Sequence, residues 1–114
     1  MARLLRERHI REEITLAAPD LLLWELSNVL RYKPGLSPTD AAEAVRSVME
    51  MRVQLFHLSP SLLDRALALA YHTGITVYDA AFVALAGELG CALATADDRL
   101  VAKVGAPAIL LSQL

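Results

Sequence analysis

The sequence predicts an α/β sandwich: a parallel sheet of about four strands flanked by helices. Three observations lead there. Short apolar segments of strand length alternate with longer Leu/Ala-rich segments along most of the chain, and strands separated by helices pair in parallel. Helix-start signals recur, with Ser-Pro at 37–38 and again at 59–60. Finally, 55% of residues are hydrophobic but only 5% aromatic, so the core is built from Leu, Ala and Val, as in sheets covered by helices on both faces.

The elements follow in order. Residues from Ala2 to about His9 form a helix with Leu4 and Leu5 inward and Arg3, Arg6, Glu7 and Arg8 outward. Ile14 to Ala17 is a short strand. Pro19 suits the first turn of the next helix, where its missing N–H does no harm. That helix carries LLLWELSNVLRY and stops before Lys33-Pro34-Gly35, a strong breaker. Ser37-Pro38-Thr39-Asp40 combines a cap, a Pro at the first position and an acid three residues on, and predicts a helix to about Met51. Val53 to Leu58 is strand-like. Ser59-Pro60 opens a helix that closes at Gly74. Another helix covers about Tyr78 to Leu89 and ends at Gly90. Cys91 to Thr95 is an apolar strand, Asp97 to Val104 a short helix ending at Gly105, and Ala108 to Leu111 a last strand.

Size and charge narrow the function. A chain of 114 residues is one domain, long enough for a single core. A mean hydropathy of +0.41 is high for a small soluble monomer and points to an interface, with a homodimer as the expected form. The net charge of −2 makes the whole chain no polyanion magnet, so nucleic-acid binding would call on a local basic patch or bound metal ions. Cys91 is the only cysteine, which excludes an internal disulfide and a Cys-based zinc site and fits a reducing compartment. It sits in an apolar run and reads as a small core residue. No segment reaches the ~20 apolar residues of a membrane span, and the charged N-terminus lacks a signal-peptide core. The expected location is the cytoplasm, without a membrane partner.

The chemistry lies in three acids placed against apolar runs: Glu25 in PDLLLWELSNVL, Asp79 in TVYDAAFVALA and Asp97 in ALATADDRL. Ligands of open α/β sheets bind beyond the carboxyl ends of the strands, and all three acids belong near such ends. Two unit charges 4 Å apart at an effective dielectric near 20 repel by about 4 kcal/mol. A hard divalent cation, Mg²⁺ or Mn²⁺, reverses that sign. Such a site can activate water and clamp a phosphodiester. Each acid also has a plainer reading: Glu25 as an exposed helix residue, Asp79 as a first-turn acid favoured by the helix dipole, and Asp97 as a helix cap. Asp98 reads as solvent-exposed and Asp20 as first-turn decoration. His9, His57 and His72 share no ligand spacing and read as structural or surface residues. Arg3, Arg6, Arg8 and Arg11 read as a solvated face, with RNA phosphate contact as the alternative. Trp24 reads as core or interface.

Taken together, PDLLLWELSNVLR, TVYDAAFVALAGELG and ALATADDRLVAKVG resemble the PIN-domain family, in particular the VapC-like toxins of prokaryotic toxin–antitoxin pairs. The shared pattern is a Pro, an apolar run, a Glu with Asn three residues later, then Tyr-Asp-Ala-Ala, then Thr-x-Asp. It falls on Pro19, Glu25, Asn28, Tyr78, Asp79, Ala80, Ala81, Thr95 and Asp97. The resemblance runs from about residue 3 to the C-terminus. It implies a PIN-like three-layer sandwich and a Mg²⁺- or Mn²⁺-dependent endoribonuclease that acts on RNA and is restrained by an antitoxin protein. Glu25, Asp79 and Asp97 would be the metal-binding carboxylates, Thr95 would support them by hydrogen bonding, and Asn28 would organise its surroundings.

One departure accompanies the match. Family members open with a strand ending in an Asp, then a helix, before the matched region. Here Met1 already falls within that region, so the domain is expected to be N-terminally short, without the first strand and its aspartate. Glu12 and Glu13 are no substitutes, because they lie beside the start of a strand. A non-catalytic, partner-dependent interaction protein is therefore the rival to the ribonuclease.

Overall fold

The computed structural model describes residues 2–113. In chain order the elements are α1 (Ala2–Ile10), β1 (Ala17–Pro19), α2 (Leu21–Arg31), α3 (Pro38–Glu50), β2 (Gln54–Phe56), α4 (Pro60–Thr73), α5 (Val77–Leu89), β3 (Leu93–Thr95), α6 (Asp98–Val104) and β4 (Ala108–Leu110). A single 3-10 turn, Leu111–Gln113, follows. The α/β class and the parallel pairing expected from the sequence are both present. The four short strands make two parallel pairs, β1 with β2 and β3 with β4, rather than one continuous ladder. The chain divides into two compact units. Glu7–His57 forms one, and Leu58 onward with the first turn of α1 forms the other.

In the Glu7–His57 unit, β1 and β2 pair with Ala17 opposite Gln54, Ala18 opposite Leu55 and Pro19 opposite Phe56. The first strand therefore starts three residues later than its apolar run suggests, and Pro19 ends a strand instead of opening a helix. The hydrogen bonds explain why this is tolerated. Gln54 N–H donates to the Leu16 carbonyl at 2.9 Å and Asp20 N–H to the Phe56 carbonyl at 3.0 Å. Leu16, Ala18 and Asp20 thus face β2, and the missing N–H of Pro19 falls on the outer edge, where no ladder bond is lost.

Within the same unit, α3 starts as its sequence dictates. Ser37 Oγ accepts from Asp40 N–H, and Asp40 Oδ2 accepts from Ser37 N–H, both at 3.1 Å. This reciprocal arrangement satisfies two helix-end donors. His9 ties the end of α1 to the rest of the unit. Its Nδ1 accepts from Leu16 N–H at 3.1 Å and its Nε2 meets the Met51 carbonyl. Both bonds are made only by the neutral ring with the proton on Nε2.

The other unit is organised by α4 against α5, the most extensive contact between two elements. Leu62 and Ala66 of α4 and Ala80, Val83, Ala84, Leu85 and Ala86 of α5 are buried, together with Leu100 of α6 and Ala108 of β4. This is the Leu/Ala/Val core that the composition requires. Small residues along α5 allow close helix approach. At the rim, Glu88 accepts from the Ser61 hydroxyl at 2.6 Å and meets Arg65 at 3.8 Å. Helix α4 ends on Gly74 and α5 on Gly90, with φ of +78° and +66°, the left-handed region in which glycine has no Cβ penalty.

The structure corrects two further expectations. Cys91 is exposed, not core. Its N–H returns to the Ala86 carbonyl at 3.1 Å, so it completes the turn that closes α5, and the strand begins only at Leu93. Trp24 is 77% exposed on α2 and joins Val29 and Tyr32 as exposed apolar surface, which excludes its core reading. Among the described residues, no helix is long and apolar enough to cross a membrane.

Candidate active site

Three of the four expected site residues lie in the α4–α5 unit, at the starts of helices or the end of a strand. Thr76 caps α5, its hydroxyl accepting from Asp79 N–H at 3.1 Å. Asp79 therefore occupies the first turn of α5, half-buried. There the helix dipole favours its charge, and among the described residues its carboxylate accepts no hydrogen bond. Asp97 caps α6: Oδ1 accepts from Arg99 N–H at 3.0 Å and from Leu100 N–H at 3.2 Å. Its other carboxylate oxygen makes no bond to a described residue. Thr95 ends β3, and its hydroxyl accepts from Asp97 N–H at 3.0 Å. That bond fixes the backbone where the strand turns into α6. Asp98 is exposed in the first turn of α6.

Glu25 lies in the other unit, exposed on α2, with Asn28 exposed one turn later. Among the described residues, no three His, Cys, Asp or Glu side chains are close enough together to hold a metal ion. The donor set nonetheless suits a hard cation in its chemistry, because Asp79 and Asp97 each offer carboxylate oxygen not committed to the protein. Thr95 and Asp97, both expected site residues, are joined by a hydrogen bond.

The structure also brings together a pair that the sequence reading missed. Asp20 directly follows β1 and His57 directly follows β2, and His57 Nδ1 lies 2.9 Å from Asp20 Oδ2. The signal is present in AAPD and QLFH: each strand is followed at once by an ionisable residue. It is hidden as long as the strand ends are placed elsewhere. His9 and His57 thus part company, the first holding backbone together and the second standing at a strand end. The exposed arginines Arg3, Arg6, Arg8 and Arg11 make no ion pair among the described residues. A shallow cleft in the Glu7–His57 unit, lined by Ser27, Ala41, Ala42, Val45 and Arg46, contains none of the expected site residues.

Comparison with known proteins places this geometry. The PIN domain pattern matches residues 2–106. Ribonuclease VapC3 of Pyrobaculum aerophilum is 36% identical, the match covering 85% of this chain and 77% of that protein. Exonuclease VapC9 of the same organism is 31% identical, over 85% of this chain and 73% of that protein. Among solved structures, that of PAE2754 from Pyrobaculum aerophilum superposes with a TM-score of 0.69 at 31% identity, covering 86% of this chain and 72% of the other. Fold, motif order and relatives agree: the chain is a VapC-like member of the PIN-domain family, a family that contains nucleases.

Proposed function

We propose that this chain is an endoribonuclease of the VapC-like toxin type that hydrolyses RNA phosphodiester bonds with the help of Mg²⁺ or Mn²⁺, held by Glu25, Asp79 and Asp97. The observation that carries the reading is the state of the carboxylates that follow Thr76 and Thr95. Asp79 is held in the first turn of α5 with its carboxylate uncommitted, and Asp97 gives one oxygen to the α6 cap and keeps the other. Carboxylate oxygens held at a helix start and just after a strand end, and not used by the fold, are the donors that a hard divalent cation takes. When bound, the cation would polarise the phosphodiester and lower the pKa of an attacking water.

The chain's own residues would do the rest. Thr95 keeps the Asp97 backbone in place, and Thr76 does the same for Asp79, so both carboxylates are held before substrate arrives. The natural brake on such an enzyme is an antitoxin protein. The exposed Trp24 and Val29 of α2 and Tyr32 just after it offer apolar surface for a partner of that kind or for a second copy of the chain. The reaction belongs to the cytoplasm, where RNA is met.

The test is cleavage of a circular, internally labelled RNA by the purified chain with Mn²⁺, Mg²⁺ or EDTA. A circle has no ends, so its opening requires endonucleolytic attack and separates this reading from an exonuclease. Metal-dependent opening is the expected result, and an intact circle in every metal would overturn it.

One observation favours a second reading, a PIN-fold interaction protein without catalysis: the described acids are not gathered into a cluster of three. Calorimetric titration with Mn²⁺ separates the two. Binding that is lost in Asp79→Asn supports the enzyme, and no heat at millimolar metal supports the interaction protein.

A further inference from the structure

We infer that His57, oriented by Asp20, is an RNA phosphate contact at the carboxyl end of the β1–β2 pair, an inference that rests on the ribonuclease reading above. The register that sets Pro19 opposite Phe56 brings the next residue of each strand side by side, and the bond from Asp20 N–H to the Phe56 carbonyl locks them there. The ends of parallel strands are where α/β sheets receive ligands.

The use made of Asp20 is the informative part. It occupies the N-cap of α2, yet with φ −63° and ψ −17° it makes no side-chain cap bond. Such a bond ordinarily stabilises a helix start. Its carboxylate instead meets the ring of His57, whose side chain is 92% exposed while that of Asp20 is 46% exposed. An ion pair this open contributes little to stability. Exchanging a cap for it brings no gain in stability, so stability does not explain the arrangement.

What the arrangement does achieve is orientation. With Nδ1 held by Asp20, the ring presents Nε2 to solvent, and Nε2 has no partner among the described residues. When the imidazole is protonated, Nε2–H is a directed, charge-assisted donor of the kind that phosphate oxygens accept. Asp20 fixes the ring. It is the one described charged group that meets His57. The residues of the two strands themselves, Ala17, Ala18, Pro19, Gln54, Leu55 and Phe56, carry no charge.

The experiment measures RNA binding with cleavage switched off. Fluorescence anisotropy of a labelled single-stranded RNA is followed with the full chain in EDTA, at about pH 5.5 and about pH 8, the range in which histidine changes charge. At the lower pH, His57→Gln is expected to weaken binding by about three- to tenfold and to reduce the salt dependence of log K by about 0.7, the share of one phosphate on a single strand. The wild-type loss of affinity at the higher pH should vanish in that variant, and His57→Arg should restore binding at both. Thermal melting of each variant serves as the folding control. An unchanged salt slope in His57→Gln, or no RNA binding by the wild type, overturns the contact. If Asp79→Asn cleaves like the wild type while His57→Gln loses the slope, the nuclease reading fails and the contact stands. If cleavage depends on metal while the slope is unchanged, the nuclease reading stands and the contact fails.

Discussion

Asp97 is asked to do two things, and substitutions can pull them apart. Its Oδ1 accepts from Arg99 and Leu100 N–H and so starts α6, a helix of 7 residues too short to persist without its cap and its packing. Leu100, 6% exposed, is the residue that anchors this helix. Asp97→Ala removes the cap and should cost about 1–2 kcal/mol, lowering the melting temperature by several degrees, at roughly 4 °C or more per kcal/mol for a domain of this size. Asp97→Ser keeps a cap oxygen and should melt within about 0.5 kcal/mol of the wild type. It removes the carboxylate, however, and with it, on the proposed reading, a metal donor whose loss would cost several kcal/mol of transition-state stabilisation. At about 1.4 kcal/mol per decade, cleavage should fall by more than roughly a hundredfold. Differential scanning fluorimetry and single-turnover RNA cleavage, run on the same preparations, read the two effects separately. If Asp97→Ser retains wild-type cleavage, Asp97 is a helix cap and nothing more.

Three further outcomes are expected. Leu62→Ala, at a position 3% exposed between α4 and α5, should cost about 2–5 kcal/mol in urea unfolding; a loss below about 1 kcal/mol would mean that this helix pair is not the core. His9→Phe strands the Leu16 N–H and the Met51 carbonyl and should cost about 1–3 kcal/mol, whereas an unchanged urea midpoint would deny the histidine its structural role. Asp40 has its carboxyl pulled below the ordinary carboxylate value by hydrogen bonds from the Ser37 backbone and hydroxyl. A depressed folded-state value means that its contribution is present above the unfolded carboxyl's value and is lost as pH falls through the folded one. Asp40→Asn should therefore flatten the acid limb of the stability curve below about pH 4, seen by urea midpoints, and an identical limb in both proteins would contradict the sign.

Local chemistry is legible in the sequence and register is not. Ser37-Pro38-Thr39-Asp40 opens α3 as written, because a capping box needs only its own four residues. The same holds for Ser59-Pro60 and for the glycines that end α4 and α5. Pro19 and Cys91 depart from expectation for the opposite reason. Whether Pro19 ends a strand depends on which edge of β1 meets Gln54 and Phe56, and whether Cys91 is buried depends on where the turn after Gly90 releases the chain into β3. Both are settled by residues far along the sequence or by tertiary packing.

The candidate site divides along the same line. Thr95 and Asp97 stand two residues apart, and their hydrogen bond is short-range. The Asp20–His57 pair spans 37 positions and exists only through the parallel register of β1 and β2, so no local pattern announces it.

If uncommitted carboxylates make this chain a metal-dependent nuclease, as proposed, Asp79 is the sharpest probe, because it is bonded to the fold through its backbone rather than its carboxylate. Wild type and Asp79→Asn, matched in concentration and melting within about 1 kcal/mol of each other, are to be compared for Mn²⁺-dependent cleavage of the same RNA. The expected result is cleavage by the wild type, none in EDTA, and a loss of about a hundredfold or more in Asp79→Asn. Equal cleavage by the two proteins would contradict the claim.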